Sequence, residues 1–188
     1  MTHLDAAALE AGLPEIRQAP KDEGRVELIV RRPAVDERDV IDEGTIDLVD
    51  GLVGDTWRTR GSSSTPDGSS NPEAQLTLMN ARAAALVAGD RERWPLAGDQ
   101  LYVDFDLGVD NLPPGTQLEL GTAVIEVTPK PHTGCKKFAS RFGKEALRFV
   151  NIGEGRQLNL RGINAKVVAA GTVRVGDVVR KVPATVDA

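Results

Sequence analysis

Apolar positions along this chain recur mostly at period two, in short runs set off by glycine and proline, and that spacing predicts strands more often than helices. In Gly24–Arg31, Val26, Leu28 and Val30 alternate with mostly polar neighbours, the pattern of a half-buried strand that Pro33 terminates. Gln100–Asp106 alternates in the same way, and Pro113-Pro114-Gly115 turns the chain into Gln117–Leu120. After Gly121, the residues Ala123, Ile125 and Val127 share one strand face. Near the C-terminus Ala165–Ala170, Gly171–Val175 and Val178–Val182 read as three further strands, with Gly176-Asp177 a hairpin signal between the last two.

Helical spacing occurs in fewer places. Residues 2–12 predict a short capped helix, with Thr2 as N-cap, Asp5 three residues on, and Leu4, Ala8 and Ala11 on one face until Gly12 and Pro14 end it. A second helix is expected from Ser70 or Asn71 as N-cap and Pro72 near the first position, with Leu76, Met79, Ala83 and Leu86 as its core stripe and Gly89 as its stop. Val49–Asp55, with two glycines in four residues, marks a sharp bend, and Gly61–Pro72 has no apolar side chain. That stretch reads as an exposed connector or as a hydroxyl-rich lid beside a pocket. Many short strands with few helices predict a mainly β fold with some α+β content, closed or nearly closed into a barrel.

Length and composition narrow the class. The 188 residues suit one domain, and 40% apolar with 27% charged residues suits a buried core. No apolar run reaches a membrane span, the N-terminus lacks the pattern of a signal peptide, and a lone Cys135 excludes an internal disulfide; a reduced, cytoplasmic setting is expected. The formal net charge of −5 argues against a dedicated nucleic-acid binder. The charge is segregated: Met1–Pro129 holds 11 Lys+Arg against 24 Asp+Glu, whereas Lys130–Arg161 holds 8 against 2. Such a basic stretch in an acidic protein predicts an anion-attracting field or a well-solvated face.

Its centre carries chemistry. Two prolines in Thr128–Pro131 give an extended exit from a strand, and Thr133-Gly134 turns the chain into a helix beginning near Cys135, anchored by Phe138 and Phe142 and stopped by Gly143. A thiol in the first turn of a helix, with Lys136 and Lys137 beside it, is favoured as thiolate, the form that attacks persulfides or ligates soft metals. A small buried hydrophobe is the alternative reading. His132, three residues earlier, suggests a Cys–His nucleophilic pair, but no third residue can be nominated to orient its ring. One Cys and two His cannot supply a structural zinc site, and phosphate-loop and dinucleotide-loop glycine patterns are missing.

Leu52-Val53-Gly54-Asp55, Gly134-Cys135-Lys136-Lys137-Phe138, Arg141-Phe142-Gly143, Leu160–Val167 and Val173–Asp177, in that order over about residues 25–182, resemble the MOSC family, named for the C-terminal domain of molybdenum cofactor sulfurases. The resemblance implies a MOSC-type β-barrel and a cysteine, here Cys135, that carries sulfur or ligates molybdenum. It also implies the molybdenum cofactor as ligand and, in some members, reduction of N-hydroxylated compounds. Sulfurases of this kind draw sulfur from a separate pyridoxal-phosphate domain, for which this chain has no room. A standalone module would therefore need a cysteine desulfurase-like sulfur donor or an electron-transfer partner. An anionic cofactor tail beside a thiolate calls for cations, and Lys136, Arg141 and Arg161 are the candidates, with Arg156 and Lys137 behind them. From another class, the basic 130–161 face of a non-catalytic module would dock an acidic partner with Cys135 inert.

Overall fold

The computed structural model describes residues 3–183. In chain order its strands are β1 (Glu23–Arg31), β2 (Asp39–Ile41), β3 (Glu43–Asp47), β4 (Gly51–Leu52), β5 (Leu76–Asn80), β6 (Leu101–Asp104), β7 (Gln117–Leu120), β8 (Ala123–Val127), β9 (Ile163–Ala169), β10 (Gly171–Arg174) and β11 (Val178–Lys181). The helices are α1 (Ala6–Ala11), α2 (Leu13–Arg17), α3 (Trp57–Arg60), α4 (Ala81–Ala88), α5 (Lys136–Phe142), α6 (Lys144–Asn151) and α7 (Gly153–Gln157).

Seven strands close a ring in the order β1, β6, β5, β9, β8, β7, β11, and the last pairs back to β1 through Glu23↔Arg180, Gly24↔Val179 and Arg25↔Val178. The expected closed barrel is therefore present. β2 extends the far end of β1, and β10, β3 and β4 form a separate small sheet. Inside the ring Val26, Ile29, Leu76, Leu78, Leu101, Val103, Ile125 and Ala165 form one apolar cluster. Outside, Leu28, Val30, Met79 and Tyr102 pack against helical side chains such as Leu9, Ala84, Phe138 and Val150 in a second. Strands covered on both faces lose the alternation that an exposed face would impose.

Four expectations change. Val26, Leu28 and Val30 do not share a face, because a register shift between Val26 and Leu28 sends Val26 into the barrel with Ile29 and turns Leu28 and Val30 outward. The helix expected from Pro72 is a single 3₁₀ turn, Pro72–Ala74, capped by Asn71, then a buried strand carrying Leu76 and Met79; α4 starts at Ala81, where Asn80 Oδ1 accepts from Arg82 N at 2.8 Å. With the barrel interior on one side and helices on the other, five consecutive buried residues imitated a helical stripe. Gly176-Asp177 makes a turn but no hairpin, since β10 pairs with β3 while β11 pairs with β1 and β7. At the N-terminus Asp5, not Thr2, caps α1 by accepting from Ala8 N at 2.8 Å, and Pro14 lies in the first turn of α2 rather than ending a helix. Thr2 lies outside the described residues.

β5 and β6 run parallel, which requires a crossover, supplied by α4 and the 3₁₀ segment Arg91–Ala97. That crossover delivers Ala97, Gly98 and Asp99 to the end of the barrel where β1 and the α5 segment also arrive.

Candidate functional site

At the end of β1, Arg32 is committed to a carboxylate inside the protein. Asp55 accepts from Arg32 Nε at 2.7 Å, from Arg32 Nη2 at 2.8 Å and from the Arg32 backbone N at 3.0 Å. The Asp55 side chain has no solvent exposure. Its Oδ1 also accepts from Trp57 N at 2.9 Å, so the same group that binds Arg32 holds the first residue of α3. α3 in turn brings Arg60 to the cavity beside Thr56 and Thr59.

Asp99 holds a second buried pair. Its Oδ2 accepts from Arg161 Nη1 at 2.6 Å, its Oδ1 lies 2.7 Å from His132 Nε2, and Arg161 Nη2 donates to Ala97 O at 2.9 Å. Burial alone would raise the carboxyl's pKa, but Arg161 and His132 outweigh it and hold Asp99 well below the usual carboxylate range. Burial, reinforced by Arg161, pushes His132 downward against the pull of Asp99, which favours a neutral ring whose Nε2–H donates to the carboxylate. The Arg161 guanidinium lies 5.1 Å over the Phe138 ring, while its Nε is buried without a partner among the described residues. Next to it Gly162 has φ 114°, and a Cβ there would stand 2.2 Å from Leu78 O, so only glycine lets Arg161 approach β5 this closely.

Cys135 comes from the strand-to-helix passage that the sequence marked. It is the N-cap of α5, in extended backbone, rather than a residue of the first turn. The preceding Gly134 is clamped by Asn151 of α6, which accepts from Gly134 N at 2.8 Å and donates to Gly134 O at 3.2 Å. Phe138 and Phe142 bury the inner face of α5, their rings 4.9 Å apart and edge-on. The thiol is free and exposed, so the small-buried-hydrophobe reading is removed. No hydrogen bond joins it to His132 among the described residues, and a Cys–His nucleophilic pair is not formed here. His132 does have the orienting partner that sequence reasoning could not nominate: Asp99, 33 residues upstream.

These three constructions line one cavity of about 740 Å³. Its walls carry Arg32, Arg38, Arg60, Lys137, Arg141 and Arg161, with His132 and Cys135, against a single lining carboxylate, Asp36. Of the expected cations, Lys137, Arg141 and Arg161 are brought together; Lys136 does not line the cavity, and Arg156 lines a neighbouring, smaller one that shares His132, Thr133 and Arg161. Arg32, Arg38 and Arg60 were missed because they belong to the segment with net charge −13. The signals were Arg31-Arg32 at a strand end and Asp55 after the glycine bend. Burial first, then Arg141 and Arg32, lowers the pKa of Arg38; burial and Arg32 do the same to Arg60. The Gly61–Pro72 loop is held by its own bonds, such as Ser62 N to Gly68 O at 3.3 Å, and does not line the cavity.

Among the described residues no helix is long and apolar enough to cross a membrane, and no three or more His, Cys, Asp or Glu side chains gather as a metal-holding group. The fold is similar to that of the YuaD protein from Bacillus subtilis, at 17% identity and TM-score 0.57, covering 84% of this chain and 94% of that one. YiiM from Escherichia coli gives 19% identity and TM-score 0.54 over 85% of this chain and 70% of that one. YiiM from Geobacillus stearothermophilus gives 12% and 0.52 over 87% and 75%. A search of curated proteins finds no match. The profile of the MOSC domain matches residues 67–180, from the loop before β5 through the thiol-bearing turn to β11, and on that match the chain belongs to the MOSC domain family.

Proposed function

We propose that the cavity holds a molybdenum cofactor by its anionic, phosphate-bearing portion, with Cys135 as the residue that ligates molybdenum or carries the sulfur destined for it. The observation behind this reading is the lining itself: six cations and one carboxylate around an exposed, free thiol. Like charges crowded at a protein surface are unfavourable until an anion joins them. With one protein thiol and no gathered ligand set among the described residues, a metal here would arrive with most of its own ligands. The residues thus suit a cofactor that brings both metal and phosphate.

Arg38, Arg60, Lys137 and Arg141 would hold the anionic tail, while Arg32 and Arg161, bound behind by Asp55 and Asp99, keep the wall rigid. The clamp of Asn151 on Gly134 fixes the backbone that presents Cys135. His132, with Nε2–H donated to Asp99, leaves Nδ1 as a proton acceptor. When bound, the cofactor would supply the two-electron redox chemistry that no side chain here provides. In the sulfur-carrier role, the Cys135 thiolate attacks the terminal sulfur of a donor persulfide; a new S–S bond forms on Cys135 as the donor's breaks, and the donor leaves as thiolate.

Expression in a host that makes the cofactor, followed by metal analysis, tests this reading. Wild type is expected to retain molybdenum and Cys135→Ser to lose most of it. A metal-free arm incubates the protein with cysteine and a cysteine desulfurase and looks by mass spectrometry for one added sulfur atom on Cys135. Negligible molybdenum in both proteins together with no added sulfur would overturn the reading.

A further inference from the structure

The single carboxylate in the cavity wall is placed where a ligand's charge would go. Asp36 sits on the connection between β1 and β2, whose base is tied by the Arg31–Asp39 ion pair. Its Oδ1 accepts from Lys137 Nζ at 3.0 Å and from Arg141 Nη2 at 3.0 Å, the two cations that α5 contributes beside Cys135. The tip is a tight turn, with Glu37 N bonded to Ala34 O at 3.2 Å. Asp36 itself holds φ 62°, a left-handed conformation that aspartate tolerates better than most residues.

The two ends of this contact are anchored differently. Arg141 is held from behind, donating through Nη1 to Leu96 O at 2.7 Å, and Arg93 bonds its backbone carbonyl at 3.1 Å. Asp36 and Lys137 are more than half exposed, at 57% and 62%, so water competes for their bond and exchange is easy. A hydrogen bond from Lys137, with its charge, lowers the pKa of Asp36, so the carboxylate stays ionised as a counter-ion.

We infer that Asp36 is an internal counter-ion latch: it occupies the anchor that Lys137 and Arg141 offer to an oxyanion, and an incoming anionic group must displace it. The inference rests on the reading that the cavity binds an anion and adds how access to it is regulated. A tethered competitor reduces the affinity of every anion by the same factor, the fraction of time the latch is open. A fixed charge acting at a distance would instead penalise anions in proportion to their charge.

Calorimetric titration of the full chain with inorganic phosphate and with pyrophosphate separates the two. Asp36→Asn is expected to tighten both by one common factor, about two- to fivefold. Glu37→Gln, which removes the neighbouring charge from the same turn without touching the latch, is expected to change neither. A gain in Asp36→Asn that is larger for pyrophosphate, or an equal gain in Glu37→Gln, would overturn the latch. Wild-type binding that Asp36→Asn leaves unchanged defeats the latch alone. Binding of neither anion by either protein defeats the anion-cavity reading and the latch with it.

Discussion

The cavity has a floor and a rim, and both are built from arginine. On the floor, Arg32 and Arg161 are 9% and 8% exposed and paired with Asp55 and Asp99, whose side chains are fully covered. On the rim, Arg38 and Arg60 have no carboxylate partner among the described residues, and Lys137 and Arg141 share the exposed Asp36. A buried charge without its partner is expensive, so the floor pairs are conditions of folding. Partial burial without a partner, reinforced by Arg32 and, for Arg38, by Arg141, lowers the pKa of Arg38 and of Arg60. The same residue type thus serves scaffold and ligand capture, and its carboxylate neighbours decide which.

The contrast breaks first at the floor. Asp99→Asn leaves the Arg161 guanidinium buried without its counter-charge, and a loss of about 3–5 kcal/mol is expected in denaturant unfolding. A loss below about 1 kcal/mol would show that the floor is not a stability element. A smaller effect comes from protons. His132 is lowered from its ordinary 6.5, so the unfolded chain binds more protons just below that value, and stability falls as pH drops from about 6.5 toward the folded-state value. Asp99, also lowered, adds stability that is full above its ordinary 3.8 and is lost only as pH falls below it. The His132 slope is at most about 1.4 kcal/mol per pH unit, and His132→Gln should flatten it just below pH 6.5 in thermal melts. The smallest change in stability belongs to the rim. Arg60→Gln should leave unfolding within about 0.5 kcal/mol of wild type, while weakening phosphate binding about tenfold at low salt. Destabilisation instead would place Arg60 with the floor.

How much of this was legible in the sequence follows from distance along the chain. The strand from Glu23, the strands from Gln117 to Val127 and the turn into α5 depend on neighbours a few residues apart, and they were readable. Cys135, Lys137, Arg141 and Arg161 were readable because one basic stretch carries them all. Arg38 and Arg60 were not, because charge counted along the chain averages them with 24 acidic residues, of which only Asp36 lines the cavity. Asp99 could not be nominated as the partner of His132, since only the β5–β6 crossover brings the two together. β5 was misread for a different reason: burial on both faces removes the period that distinguishes strand from helix.

The seam of the barrel has a consequence for biosynthesis. It joins Glu23–Arg25 to Val178–Arg180, so the ring cannot close until β11 has been made. Arg32 and Asp55 leave the ribosome long before β11 closes the ring at the other end of β1. Chains shortened by premature termination before β11 would therefore lack the last stave of the ring, and the wall that surrounds the thiol would be left without its frame.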